Sequence, residues 1–324
     1  MISAWKGHRV VVTGAAGFIG SHVAARLSAE GAEVVAIDDL SRGHWKSLHD
    51  RADQLGAKHP TEITIDLSKP SREEFVSMMN GASALIHLAA EKYNNSADAP
   101  DRVLDVNVAG TQRLFDAAGI AKVPNVVFSS SLYACGRLKG EDLTEDEPPI
   151  PITVYGASKL SGEALLRAAA ARYGFRHSSL RFFFVFGPGQ AEGTGYPSVL
   201  VRSMHRILNG EPPIINGDGK QALDYIFIDD VVRAVLMGAE SRFENGALLN
   251  IGTGRSIEIA YLIDTVIKAT GTKLKPIDGA ADWTAGTRRV ARTSKAAASG
   301  WKAETSFEDG VTKMWNAFKN KGAA

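Results

Sequence analysis

Tyr155 and Lys159 stand four positions apart in a stretch patterned as a helix, a spacing that puts both side chains on one face. An ammonium beside a phenol favours the phenolate and draws a tyrosine pKa of roughly 10 toward working pH. The pair can therefore serve as a general base for an alcohol proton. Ser129, Ser130 and Ser131 end a β-branched run upstream, where a hydroxyl can hold the substrate oxygen while Tyr155 takes its proton. Taken alone, a Tyr-x-x-x-Lys spacing is as easily a surface tyrosine and lysine. Its weight comes from Gly14, Gly17 and Gly20, which directly follow the run Arg9–Thr13. Glycines there let the chain turn tightly, approach a pyrophosphate and leave the next helix's first amides to an anion. The next run closes at Asp38, where a carboxylate accepts hydrogen bonds from adenosine ribose hydroxyls and repels a 2′-phosphate. The combination reads as an NAD site, with Arg42 nearby as the residue that argues for NADP. Asp66, after the third run, either reaches the adenine edge or is a solvated loop acid.

Positioning these groups requires a scaffold, and the first half of the chain supplies its pattern. Short runs at Arg9–Thr13, Glu33–Ile37, Glu62–Ile65, Ala84–His87, Asn125–Ser129 and Ser178–Phe184 alternate with amphipathic stretches, as in βαβ units with a parallel sheet. Two helices stand out. In Asp101–Ala118 the residues Val103, Val106, Gly110, Leu114 and Ala117 form one stripe; in Val154–Tyr173 Ala157, Leu160, Ala164 and Ala168 form another. These small-residue stripes suit packing on the sheet and, equally, against a partner subunit. The expected fold is a Rossmann-type doubly wound α/β sheet over residues 1–184, rejoined by about 224–240. A smaller substrate lobe is expected from 185–223 and 241–324, where glycines and prolines crowd Gly187–Pro197 and Gly210–Gly219.

Composition narrows the function. The 324 residues carry 37 Lys and Arg against 36 Asp and Glu, a net charge of +1 that gives no bulk attraction to nucleic acid or anionic membrane. A single cysteine, Cys135, leaves neither an internal disulfide nor a thiol cluster for a metal. The first residues lack a secretory apolar region, and no stretch reaches the roughly 18 apolar residues of a membrane span. The expectation is a cytoplasmic enzyme.

With these motifs in place, the chain resembles the extended short-chain dehydrogenase/reductases, in particular the NAD-dependent nucleotide-sugar epimerases and dehydratases. The resemblance runs through Thr13-Gly14-Ala-Ala-Gly17-Phe-Ile-Gly20, Asp38-Asp39-Leu40-Ser41, His87-Leu-Ala-Ala90, Pro100 with Asn107, Gly110 and Thr111, Phe128-Ser-Ser-Ser131 and Tyr155-Gly-Ala-Ser-Lys159. It continues through Leu180-Arg181, Gly187-Pro188, Gly217–Gln221, Asp229-Asp230-Val231 and Asn250–Thr253. It implies a catalytic set of Ser131, Tyr155 and Lys159. It also implies that NAD is held by Gly14, Gly17, Phe18, Ile19, Gly20, Asp38, Asp39, Asp66, Leu67, Leu88, Ala89, Ala90 and Asn107, together with Tyr155 and Lys159. The implied reaction oxidises a sugar carbon, usually C4, and returns the hydride to the other face. Homodimers through helices 101–118 and 154–173 are usual in the family.

Departures from the family shape the expected substrate end. Leu132 and Tyr133 stand where dehydratases carry an Asp-Glu pair, which argues against a 4,6-dehydratase. Phe184 replaces a common Asn, Leu223 an Arg before Asp224, and Arg292 an Asp before Ser294-Lys295. Leucine cannot grip a diphosphate as arginine does. Arg202, Arg206, Arg288 and Arg289 are the cations available to take over, each alternatively a solvated charge. Glu91 and Lys92 either read substrate hydroxyls or pair with each other. Cys135 is a packing residue or an extra acid/base, His87 packs at a strand end, and Trp283 and Trp301 belong to core or pocket wall. Alternatives to the epimerase are a sugar-nucleotide C4 dehydrogenase, a reductase of a non-nucleotide carbonyl, and a non-catalytic NAD sensor or scaffold.

Overall fold

A computed structural model describes residues 5–136, 142–190, 198–281 and 284–322, residues 320–322 by backbone alone. Trp283 and the 191–197 part of the loop expected at Gly187–Pro197 lie outside the described residues. Six parallel strands, β1 (Arg9–Thr13), β2 (Glu33–Asp38), β3 (Thr61–Thr64), β4 (Ala82–His87), β5 (Asn125–Ser131) and β6 (Arg176–Phe182), assemble in the order β3-β2-β1-β4-β5-β6. Strand Ala247–Ile251 completes the sheet beside β6. The order reverses direction between β1 and β4, the switch point where ligands bind in open α/β sheets.

Successive strand residues point to opposite faces, and the core divides accordingly. Val10, Val12, Val34, Ala36, Ala84 and Ile86 pack on one side with helices Phe18–Ala29 and Ile228–Ala239. Val11, Val35, Ile37, Leu85, Val126 and Phe128 pack on the other with helices Arg72–Met79, Thr111–Ile120 and Val154–Tyr173. Both faces are covered, so the strands read as near-continuous apolar runs.

Three sequence expectations are corrected. The run Ser178–Phe184 is not one strand: β6 ends at Phe182, the Phe183 amide bonds to Ile251 O, and Phe184–Phe186 starts a separate pair with Tyr225–Phe227. Tyr225–Phe227 thus stays outside the main sheet, while Ile228–Ala239 packs on it and Ala247–Ile251, assigned by sequence to the other lobe, joins it. The expected helix Asp101–Ala118 is three segments, Pro100–Leu104, a π-helical Asp105–Gly110, and Thr111–Ile120. Gly110 lies against Leu67, whose carbonyl oxygen is only 2.7 Å from where a Cβ would stand. Helix Val154–Tyr173 keeps its expected bounds, capped by Thr153 Oγ1 accepting from the Gly156 amide and closed by Gly174 at φ 79°.

The remaining elements form a smaller cluster. It contains helices Val199–Leu208, Ile259–Thr270 and Phe307–Gly322, the parallel pair Ile214–Asn216/Ile277–Gly279, and a three-stranded sheet. In that sheet Ala222–Leu223 lies between Ile257–Glu258 and Arg288–Arg289, with Arg289 in register with Leu223. Among the described residues no helix is long and apolar enough to cross a membrane.

Candidate active site

The glycine turn sits at the carboxyl end of β1, and its backbone leaves no room for side chains. Gly14 has φ 71°, and a Cβ there would meet Ala89 N at 2.7 Å; a Cβ at Gly20 would lie 1.9 Å from Gly14 O. Gly17 is the N-cap of helix Phe18–Ala29, with no side-chain cap and no acid in the first turn. A helix start of this kind, stripped of competing acceptors, suits a pyrophosphate. Gly43, which sequence reasoning passed over, packs equally closely, its Cβ position 2.3 Å from Ala16 O. Nothing in its local sequence marks that long-range contact.

Asp38 braces this turn: Oδ2 accepts from the Ala16 amide and Oδ1 from the Leu40 amide, both at 2.9 Å. Burial raises its pKa, with these amides pulling the other way. Leu88 and Ala89 run alongside, donating their amides to Thr13 O and Thr13 Oγ1. Phe18 and Ile19 open the helix, Ala90 follows Ala89, and Leu67 is buried beneath the π segment. In that segment Asn107 accepts from the Glu91 amide at 2.7 Å and donates to Glu91 O and Ser158 Oγ. It thereby ties the end of β4 to the helix bearing Tyr155.

Arg102, unmarked by any motif, organises the acids beyond. Its guanidinium contacts Asp66 Oδ2 at 2.7 Å, Glu91 Oε1 at 2.9 Å and Asp39 Oδ2 at 3.4 Å. Asp66 is therefore no solvated loop acid, and Arg102 and Ser68 hold its pKa below the ordinary value against the opposing effect of burial. The second oxygen of Glu91 accepts from Asn95 Nδ2 at 2.6 Å, and the Glu91 carboxylate also attracts the charge of the surface-exposed Lys92. Arg42 bonds to Asn95 Oδ1 at 3.2 Å.

Three consecutive serines at the end of β5 register helix Val154–Tyr173. Ser129 O accepts from Lys159 Nζ at 2.8 Å, Ser130 Oγ donates to Glu163 Oε1 at 2.5 Å, and the Ser131 hydroxyl, which accepts from the Tyr133 amide at 3.3 Å, lies near enough to Tyr155 to lower its phenol pKa. Gly162 permits the contact: a Cβ there would lie 2.4 Å from Phe128 Cζ. Tyr155 and Lys159 do meet, the Nζ lying 5.8 Å from the phenol ring centroid. Their electrostatics correct the sequence expectation. Burial pushes the Tyr155 phenol up to about 12, and the pull downward comes from Ser131. Burial likewise pushes Lys159 down to about 7, with Glu163 opposing. Desolvation is the largest influence on each of the two groups.

Around them lie neutral walls. His87, pushed down to about 3 by burial, bridges Thr13 Oγ1 at 2.7 Å and Thr111 Oγ1 at 2.9 Å, a packing role. Cys135 is buried beside Arg181 Nη1 at 3.4 Å, and burial raises its pKa, so it is a neutral packing thiol. Arg181 itself holds Glu163 with two bonds of 2.8 Å. Tyr133 stacks on Tyr93 with centroids 4.5 Å apart and meets the Tyr155 ring edge-on at 6.1 Å. Trp301 is core, its indole donating to Asp230 O.

The candidate cations separate. Arg288 engages Asp142 at 2.5 Å and Ser256 at 2.6 Å, and Arg206 engages Pro212 O at 2.6 Å and Glu211 at 2.9 Å. Arg202 is half-buried on helix Val199–Leu208, and Arg292 is exposed. Arg289 reaches the tyrosines, donating to Tyr133 Oη at 3.1 Å and lying 5.3 Å from the centroid of the half-buried Phe184 ring. Among the described residues no group of His, Cys, Asp and Glu could hold a metal.

Comparison with known proteins matches residues 10–252 to the NAD dependent epimerase/dehydratase family. A UDP-glucose 4-epimerase of Mycolicibacterium smegmatis is 32% identical over 320 residues, covering 97% of this chain and 99% of its own. Among solved structures, a UDP-N-acetylglucosamine 4-epimerase from Methanobrevibacter ruminantium in complex with UDP-N-acetylmuramic acid superposes with a TM-score of 0.90 at 29% identity, covering 98% and 99% of the two chains. A Thermus thermophilus UDP-glucose 4-epimerase in complex with NAD gives 0.82 at 28% identity, over 96% and 99%.

Proposed function

The chain belongs to the NAD dependent epimerase/dehydratase family, and from that premise we propose that it is a nucleotide-sugar epimerase inverting a carbinol carbon, C4, by transient oxidation. The observation that carries this reading is the Ser131, Tyr155 and Lys159 set, in which helix Val154–Tyr173 brings the tyrosine and lysine against the serine end of β5. Gly14, Gly17, Phe18, Ile19 and Gly20 would cradle the pyrophosphate of NAD, and Asp38, Asp39 and Asp66 would meet its adenosine. Leu67, Leu88, Ala89, Ala90 and Asn107 would complete the cofactor site toward Tyr155. When bound, NAD would supply the hydride acceptor. Ser131 holds the substrate oxygen, Tyr155 exchanges its proton at Oη, and Lys159 brings positive charge beneath the phenol when protonated. Leu132 and Tyr133 after Ser131 offer no acid pair for eliminating water.

The test is incubation of the purified protein with UDP-glucose and UDP-N-acetylglucosamine, reading inversion by NMR. Tyr155→Phe should lower kcat by about 10²- to 10⁴-fold. NAD-loaded protein that inverts no sugar nucleotide would sink the proposal. Accumulation of ketone with stoichiometric NADH would favour the C4 dehydrogenase instead.

The balance of Lys and Arg against Asp and Glu and the single cysteine support a cytoplasmic enzyme. A homodimer through helices 101–118 and 154–173 is supported by exposed Ala157, Ala164 and Ala168, and by Leu104 at 45% exposure. The sheet lobe, extended by Ala247–Ile251, would carry NAD, and the smaller lobe the sugar nucleotide.

A further inference from the structure

We propose that Arg102 assembles the adenosine half of the NAD site, as a positioning residue that fixes the directions of Asp39 and Asp66 and offsets their charge. The inference rests on the NAD placement given above and deepens it.

Asp39 follows β2, Asp66 follows β3 and Glu91 follows β4, so all three acids stand at the carboxyl ends of strands, the side on which open α/β sheets take their ligands. Arg102 comes to them from the short helix Pro100–Leu104 and uses every nitrogen of its guanidinium. Nε donates to Glu91 Oε1 at 2.9 Å, Nη1 to Asp66 Oδ2 at 2.7 Å and Ser68 Oγ at 3.0 Å, and Nη2 to Asp39 Oδ2 at 3.4 Å. The other oxygen of each acid is held locally. Asp66 Oδ1 accepts from the Ser68 amide and hydroxyl, both at 2.8 Å, Asp39 Oδ1 from the Ser41 amide at 3.0 Å, and Glu91 Oε2 from Asn95 Nδ2 at 2.6 Å. A planar fork therefore sets the relative directions of carboxylates from three separate segments, which an ammonium on a flexible stem cannot do.

Charge gives the second argument. Asp38, Asp39, Asp66 and Glu91 gather acids at a site that must admit an anionic pyrophosphate, and like charges repel. Asp38 is bonded to the Ala16 and Leu40 amides, and Arg102 contacts the other three. These pairs are partly exposed, so their attraction alone is modest and the guanidinium chiefly supplies direction. Its Glu91 branch also extends the frame toward the catalytic helix. The Glu91 amide donates to Asn107 Oδ1, Asn107 Nδ2 donates to Ser158 Oγ at 3.0 Å, and Ser158 Oγ donates to Tyr155 O at 2.8 Å.

The test loads wild type, Arg102→Met and Arg102→Lys with radiolabelled NAD and follows its release into excess unlabelled NAD. Arg102→Met should release NAD about tenfold faster or more, and Lys should recover part of the difference. ADP-ribose, which keeps the adenosine and pyrophosphate and lacks the nicotinamide, then competes with NAD. Its affinity relative to NAD should be the same in variant and wild type, because the loss falls on the shared half. Unchanged release with a lowered Tm is the behaviour of a merely structural ion-pair cluster and overturns the proposal, as does slower release. A changed ratio takes the effect off the shared half and also overturns it. Should Arg102→Met fail to fold, Arg102→Lys decides: release about threefold faster or more supports the proposal, and release at the wild-type rate overturns it. Each of these outcomes leaves the epimerase reading standing. Wild type that holds no NAD overturns the cofactor placement and that reading with it.

Discussion

Lys159 is the residue at which burial and charge compete most openly. Its pKa of about 7 in the folded chain lies below the ordinary 10.5 that the unfolded chain recovers. Between those values the unfolded chain binds the extra proton, so stability rises with pH across that window and the contribution is lost as pH falls to 7. The unfolding free energy of wild type minus that of Lys159→Met should climb between pH 7 and 10 with a slope approaching about 1.4 kcal/mol per unit. A pH-independent difference would show that the ammonium is not desolvated. Ser131 works in the opposite sense on Tyr155, since its nearby hydroxyl is what lowers the phenol pKa. Ser131→Ala should shift the acid limb of the kcat/KM profile upward in pH, since more of the Tyr155 base is then protonated, and lower kcat at pH 7 by about tenfold or more. An unchanged pH profile would remove Ser131 from the proton path.

Among the elements, helix Val154–Tyr173 carries the reactive pair, and its approach to β5 decides whether that pair is aligned. Gly162 faces Phe128 with no room for a methyl group. Gly162→Ala should push the helix outward, costing about 1–3 kcal/mol by overpacking. It should also lower kcat by about a hundredfold, because displacements near 1 Å at a reacting pair have that scale of effect. Melting curves and kcat read together check this, and full activity with a lowered Tm would refute the positional argument. The π-helical Asp105–Gly110 belongs to the same design: it turns Asn107 toward Glu91 and Ser158, a use typical of such bulges.

At the scale of the whole molecule, the proposed dimer rests on one exposed helix face. Exposed Ala157, Ala164 and Ala168 form a stripe on the helix face turned away from the sheet, and small residues allow two helices to approach closely. Ala164→Glu should convert a dimer to a monomer in sedimentation velocity at micromolar concentration. A wild-type monomer would dispose of the proposal. The acids gathered by Arg102 also act at this scale, since they come from three loops joined by one guanidinium.

The sequence by itself determined what depends on near neighbours. The glycine turn is legible because its positive φ and close contacts forbid side chains. The parallel strands are legible as β-branched runs, and Tyr155 with Lys159 because a helix puts residues four apart on one face. The tertiary structure decided everything that joins distant segments. Arg102 reaches Asp66 across 36 positions, Arg289 stands beside Leu223 across a strand pair, and Ala247–Ile251 closes the sheet against β6. It also set the Tyr155 and Lys159 pKa values, because desolvation depends on what surrounds a group in space. Spacing along the chain brought the two residues together, but only the packed interior fixed the strength of their charges.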